Sequence, residues 1–188
     1  GGIGVWVYLN HVWTPISPLS SESLTVGDLD GDNREEIVGD FGAAGVWSYD
    51  LPNWTCLTDL NPDELLIQDH DGDGIDELVA DMGWQVTKPE FSGLWLWDGG
   101  GLTHLNWNNS MRIISANTDG HADMEIVGTY FDIFNTSLGL WTCDGIDWAQ
   151  LNPLAPETFA AGDFDADGIE EVVGDFGGLG LWFKDADT

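Results

Sequence analysis

One pattern constrains this chain more than any other: an acidic, glycine-bearing loop followed by a short apolar run, written four times. The copies are DLDGDNREEIVGDFG from Asp28, DHDGDGIDELVADMG from Asp69, NTDGHADMEIVGTYF from Asn117 and DFDADGIEEVVGDFG from Asp163. They start 41, 48 and 46 residues apart. Self-similarity at such a period signals units that stack, because a unit this short cannot bury its apolar face alone. A second piece, Gly-aliphatic-Trp, recurs between the copies at Gly4, Gly45, Gly93, Gly139 and Gly180. A third, Trp-x-x-Ile/Leu, runs Trp13 to Ile16, Trp54 to Leu57 and Trp148 to Leu151, and one copy reads LTHLNW in its place.

These pieces read as strands. One runs into the loop (LTVGD), one leaves it (EEIVGDF), a third carries Gly-aliphatic-Trp and a fourth carries Trp-x-x-Leu. The residues after the loop, such as Ile37-Val38 and Val172-Val173, show neither a 3.6-residue stripe nor clean alternation. Adjacent apolar residues suit a short strand covered on both faces. Four strands in about 45 residues is the scale of a propeller blade. The sequence predicts an all-β chain, residues 1–188 forming a single β-propeller domain of about four four-stranded blades. A β-sandwich is the competing arrangement, and it has no need of such strict repetition.

The loops at 28–36, 69–77, 117–125 and 163–171 alternate acids with glycine, as calcium loops do. They are not EF-hands. An EF-hand loop ends in a bidentate Glu at position twelve, between two helices. Counted from Asp69, position twelve is Ala80, and the acid arrives at position nine, Glu77. With the apolar pair that follows and repetition at blade spacing, the D-x-D-G-D-G-x-x-E loop resembles FG-GAP or VCBS-type repeats, the calcium-bearing blades also seen in the propeller of integrin α subunits. The resemblance covers almost the whole chain. It implies calcium ligands at Asp28, Asp30, Asp32 and Glu36, at Asp69, Asp71, Asp73 and Glu77, and at Asp163, Asp165, Asp167 and Glu171. The third loop departs from the pattern. It offers Asn117, Asp119 and Glu125, with His121 at position five and Asp123 at position seven. Imidazole suits a hard cation poorly, so this site is expected to be weaker or empty. Three to four Ca2+ ions follow. Calcium accepts six to eight oxygens in flexible geometry, whereas magnesium keeps its waters. The ions would offset repulsion among the clustered carboxylates. Extracellular calcium modules bind at about 0.1–1 mM, so a secreted or cell-surface location is expected.

Charge supports the same direction. The chain has 34 acidic residues against 4 Lys and Arg, a formal net charge of −30. Such a surface repels nucleic acid and anionic membrane and attracts cations. No run of 18 apolar residues is present, so membrane insertion is not expected. Two cysteines, Cys56 and Cys143, make no disulfide framework and no zinc pattern. A chain opening Gly-Gly rather than Met reads as a processed or excised form. The four histidines, His11, His70, His104 and His121, fall at unrelated places in the repeats, and no nucleophile–base pair or nucleophile elbow accompanies them. An enzyme is not expected.

The repeated Trp of each Gly-aliphatic-Trp piece reads as packing, since it recurs in every unit. Asp40, Asp81 and Asp175, with Thr129 in the odd unit, suit either turn capping or a shared surface. The unequal segments point to a partner. Those after the second strand are short in the first and last units but long at 84–92 and 129–138. Adjacent blades would bring together Trp84, Lys88, Phe91, Tyr130, Phe131 and Phe134 as a candidate ligand surface for a protein or glycan, because binding residues concentrate on such loops. Glycosylation sequons stand at Asn53, Asn108 and Asn135.

The ends do not match. The chain opens with third and fourth strands and closes with first, second and third. Either the N-terminal strands close a ring, or the array is longer, or terminal strands complete the blade of the next subunit. Two functions are therefore expected in competition: an extracellular calcium-stabilised adhesion or ligand-binding module, and a structural subunit of a filament or surface layer built from copies of itself.

Overall fold

The computed structural model describes residues 2–86, 88–145 and 147–184, and their only helical pieces are three 3-10 turns. The rest is antiparallel sheet. A hairpin comes first, β1 (Val5–Leu9) on β2 (Val12–Ser17). Three four-stranded meanders follow. Unit 1 is β3 (Ser23–Gly27), β4 (Glu36–Asp40), β5 (Val46–Asp50) and β6 (Asn53–Thr58). Unit 2 is β7 (Glu64–Gln68), β8 (Glu77–Asp81), β9 (Leu94–Trp97) and β10 (Leu102–Asn106). Unit 3 is β11 (Asn109–Ala116), β12 (Glu125–Phe131), β13 (Ser137–Cys143) and β14 (Trp148–Asn152). Unit 4 has three strands, β15 (Thr158–Gly162), β16 (Glu171–Asp175) and β17 (Leu181–Lys184). Within each sheet the strands lie in chain order, and the acidic loops join first strand to second.

The repeated residues hold the turns. The glycine before each third strand has positive φ, +84° at Gly45, +87° at Gly93 and +91° at Gly139. A Cβ there would sit 2.1–2.2 Å from a backbone carbonyl oxygen at the end of the fourth strand, Thr58, Asn106 or Asn152. Only glycine fits both constraints. The Trp two residues later donates its indole N–H to the carbonyl three residues upstream: Trp47 to Ala44 at 2.7 Å, Trp141 to Leu138 at 2.7 Å, Trp182 to Leu179 at 2.8 Å. The recurring acids are turn caps. Asp40, Asp81 and Asp175 each accept the N–H of the residue two ahead, at 2.8, 2.8 and 2.9 Å.

Sheets pack face to face in series, with first strands adjacent: β3 on β7, β7 on β11, β11 on β15. Each interface uses equivalent places. Val38 and Val46 of unit 1 bury against Leu65, Ile67 and Leu78 of unit 2. Val79 and Leu94 bury against Ile113 and Ile126 of unit 3. Val127 and Leu140 bury against Phe159, Ala161 and Val172 of unit 4. A fully buried side chain of this size contributes about 1.5–3 kcal/mol, so these contacts, rather than the hairpins alone, hold the array. β8 is buried along its whole length, which explains its lack of alternation.

One boundary differs from the sequence reading. Half of the segment 129–138 is strand, because β12 runs to Phe131 and β13 starts at Ser137. The remaining turn is closed by Asp132, whose Oδ1 accepts the N–H groups of Phe134 (2.9 Å) and Thr136 (2.8 Å).

Candidate functional site

The four acidic loops share one construction. The closing Glu is buried at the start of the second strand: Glu36, Glu77, Glu125 and Glu171 are all under a tenth exposed. Its Oε2 accepts the N–H of loop position two, from Leu29 (2.8 Å), His70 (2.7 Å), Thr118 and Phe164 (2.7 Å). The position-one side chain turns inward and gathers backbone N–H groups. Asp28 takes those of Gly31 (2.8 Å) and Asn33 (2.8 Å), and Asp69 those of Gly72 (2.8 Å) and Gly74 (3.0 Å). Asp163 takes those of Ala166 (2.6 Å) and Gly168 (3.1 Å). Position three binds the N–H of position five: Asp30 to Asp32 and Asp71 to Asp73, both at 3.1 Å, and Asp165 to Asp167 at 3.1 Å. Asp73 and Asp167 accept the N–H two residues on, from Ile75 and Ile169, both at 2.8 Å.

The result is convergence of oxygens. Donor atoms of Asp28, Asp30 and Asp32 lie within 4.8 Å of one another, as do those of Asp69, Asp71 and Glu77, and those of Asp163, Asp165 and Glu171. Two carboxylates at that separation repel by about 3 kcal/mol at an effective dielectric of about 20. Three of the closing glutamates have raised carboxyls. Burial raises the carboxyls of Glu36 and Glu125, and burial together with Asp71, Asp69 and Asp73 pushes Glu77 up to about 7.

The third loop is built differently. Asn117 Oδ1 still accepts a loop N–H, from Gly120 at 2.7 Å, and its Nδ2 donates to the His121 carbonyl at 2.6 Å. His121 Nδ1 lies 2.7 Å from Asp119 Oδ2, and this contact raises the His121 pKa. Asp123 completes the group of Asp119, His121 and Asp123. The sequence reading placed Asp123 at position seven without counting it as a ligand, and its carboxylate joins the cluster. Glu125 Oε1 is buried with no hydrogen-bond partner.

Consecutive loops are also tied together, which the repeat pattern did not disclose. Position eight of one loop donates its N–H to the position-one carbonyl of the loop before: Asp76 to Asp28 (2.8 Å), Met124 to Asp69 (3.0 Å), Glu170 to Asn117 (2.6 Å). Where position eight is acidic, its side chain accepts the return N–H, Asp28 to Asp76 and Asn117 to Glu170, both at 2.9 Å. Met124 cannot do this. There the buried Gln68 and His70 side chains reach the Met124 carbonyl instead, at 2.6 and 3.0 Å.

The predicted ligand surface is only partly assembled. Trp84 lines an open groove with Gln85, Val86, Pro89, Ser92, Trp107 and Ile133. Thr87, in the same segment, lies outside the described residues. Phe134 is exposed on the neighbouring turn. Lys88 is held by Asp59 at 2.9 Å, and Phe91 packs against Trp95 with ring centroids 5.4 Å apart. Phe131 is half-buried at the end of β12. Tyr130 is buried, edge-on to Trp148, and its ring covers Gly128, so it belongs to a small inner pocket with Asn106, Asn108 and Trp141. Trp107 was missed because it lies in the copy whose fourth-strand motif reads LTHLNW. Of the sequon residues, Asn53 and Asn135 are exposed and Asn108 is half-buried.

No helix among the described residues is long and apolar enough to cross a membrane. Neither a scan against protein-family models nor a search of curated proteins returns a match.

Proposed function

We propose that the chain is an extracellular, calcium-stabilised array of propeller-type blades of the FG-GAP or VCBS kind, acting as an adhesion or ligand-binding module. The observation that carries this reading is the set of convergent oxygen clusters in loops one, two and four, with a mixed cluster containing His121 in loop three, each loop closed by a buried Glu and consecutive loops joined by three backbone ties. Hard oxygen donors with no thiolate suit calcium or another hard cation, and the orphaned Glu125 Oε1 is the kind of atom a cation would satisfy. Calcium would be held by the position one, three, five and nine oxygens of loops one, two and four. Loop three would hold it more weakly, through Asn117, Asp119, Asp123 and Glu125. When bound, calcium neutralises the clustered charge and stiffens the link between first and second strands.

The partner would meet the groove between units 2 and 3. Trp84 and Trp107, 42% and 56% exposed, flank Gln85 and Ser92 there. Exposed indoles suit stacking against a glycan or the apolar part of a protein loop, while the Ser92 hydroxyl and the Gln85 amide are engaged within the chain and hold the groove's shape. Thermal unfolding in millimolar calcium and in chelator tests the first part; a melting temperature unchanged by calcium sinks it. A glycan array probed with the intact chain and with Trp84→Ala tests the second, and binding that ignores this substitution removes the groove from the account.

A further inference from the structure

Loop three departs from the other loops at three places at once. The acids at positions one and five give way to Asn117 and His121, and an acid stands at position seven, Asp123, where the others have Arg34, Ile75 and Ile169. The position-seven side chains of loops two and four lean onto the loop before. Ile75 lies over Gly31 and Ile169 over Gly120, where a Cβ would come within 3.0 and 3.1 Å. Over Gly72 that place is taken by Ala122 and the Asp123 backbone. The Asp123 carboxylate turns back into its own loop instead. One of its oxygens, one of Asp119 and a ring nitrogen of His121 lie within 4.8 Å of one another. Two carboxylates are thus exchanged for one carboxylate and one imidazole at the same centre.

A buried acceptor points into the same place. Glu125 is 3% exposed. Its Oε2 takes both the N–H and the hydroxyl of Thr118, and position two of the other loops is Leu29, His70 or Phe164, with no hydroxyl to give. Its Oε1 is left buried with no hydrogen-bond partner, in a carboxyl that acts directly on Asp119 and feels the charges of Asp119 and Asp123. A buried anionic oxygen without a donor is costly, and with carboxylates on its open side the partner that suits it is a cation. Calcium asks for six to eight oxygens. Loop three gathers three carboxylates and an imidazole, and imidazole selects zinc, copper, nickel and their neighbours over calcium. One nitrogen and three oxygens also make a tetrahedral set. At metal–ligand distances of about 2.0–2.2 Å such donors stand about 3.4 Å apart, so the cluster needs only small side-chain movements to close.

We propose that loop three is a binding site for a divalent first-row transition metal of the zinc type, held by Asp119, His121, Asp123 and Glu125. The assignment rests on the reading of the acidic loops as cation sites and gives this one a different ion. His121 Nδ1, which meets Asp119 Oδ2 at 2.7 Å, takes the metal as neutral imidazole, any proton on it passing to solvent. Asn117 Nδ2, bonded to the His121 carbonyl at 2.6 Å, fixes the backbone that carries the ring. Met124 lies between two of the ligands and donates its N–H to the Asp69 carbonyl of loop two. The ion therefore stiffens the joint between units 2 and 3, where the acidic return bond is missing.

Calorimetric titration of zinc into chelator-stripped protein tests it, in a Cys56→Ser background that removes the exposed thiol, without calcium and again in millimolar calcium. One equivalent of zinc should bind in both. His121→Asp should lose that equivalent while calcium tightens at the same loop, Asp123→Asn should weaken it, and His11→Ala should leave it unchanged. The His121 side chain is 73% exposed, so these losses are not losses of fold. Histidine ring signals in proton NMR give a second reading: zinc should shift those of His121 and leave those of His11 in place. Zinc fully displaced by millimolar calcium, an equivalent that survives His121→Asp, or no zinc bound at all overturns the proposal. If calcium binds none of the loops while zinc binds and is lost in His121→Asp, the calcium reading fails and this assignment stands.

Discussion

Replacing Glu77 by Gln should change stability in opposite directions with and without calcium. Glu77 is 7% exposed, and its Oε2 accepts the His70 N–H at 2.7 Å. Burial first, then the charges of Asp71, Asp69 and Asp73, outweigh that hydrogen bond and move the carboxyl from 4.5 to about 7. At about 1.4 kcal/mol per pH unit, ionised Glu77 costs the metal-free fold about 3 kcal/mol relative to the unfolded chain. The folded state binds the proton more tightly than the unfolded state. Below pH 4.5 both are protonated and the difference vanishes, so the cost grows as pH rises from about 4.5 to 7 and is complete above that. Glu77→Gln removes the charge and leaves an oxygen for the His70 N–H. In chelator at pH 8 the variant should be more stable by about 2–3 kcal/mol, at about 2–4 °C per kcal/mol for a chain of this length. At pH 4.5 the two should match. In millimolar calcium the order should reverse, because the variant has lost a charged ligand. Urea and thermal melts over these four conditions provide the assay. A variant less stable than the parent in chelator at pH 8, or calcium stabilising both equally, refutes the reasoning.

Other substitutions probe the remaining parts. Gly45 and Gly180 have nearly the same backbone angles, φ +84°, ψ −171° and φ +87°, ψ −167°, in a region essentially reserved for glycine. Gly180→Ala should cost about 2 kcal/mol from strain alone, and Gly45→Ala about 2 kcal/mol more because its Cβ meets the Thr58 carbonyl; equal losses in urea unfolding would contradict this. Asp81 is 1% exposed and accepts the N–H groups of Gly83 and Ser110 as well as the Ser110 hydroxyl. Asp81→Ala should therefore cost about 3 kcal/mol by leaving buried donors unpaired, with Asp81→Asn milder in the same assay. His121→Asp gives loop three the acid found at position five of the other loops, and calorimetry should show a tighter calcium site there.

The fold was legible where the repeat was written in side chains that only one geometry accepts. Gly45, Gly93 and Gly139 mark a backbone angle, the Trp that follows marks an indole bond, and the loop-closing Glu marks a buried acceptor. Each gave the place of a turn or strand. The face-to-face pairing was legible from doubly apolar strands such as β8. What sequence did not give were contacts made by backbone. The clamp from Asp76 to Asp28 uses N–H and carbonyl groups present in every residue, and its acidic half is missing at Met124, so no motif announces it. Trp107 reaches the groove only because the turn after β10 carries it beside Trp84. Tyr130 read as a surface aromatic. It takes the place that Phe41 and Phe176 hold over Gly39 and Gly174, and covers Gly128 in the same way.

The count of calcium ions bound tests the central claim most directly. Isothermal titration of calcium into chelator-stripped protein should give three equivalents in one affinity class from loops one, two and four. A weaker fourth should come from loop three and disappear in Asp119→Asn. No heat at millimolar calcium, or a stoichiometry untouched by paired substitutions such as Asp69→Asn with Asp71→Asn, would contradict the account.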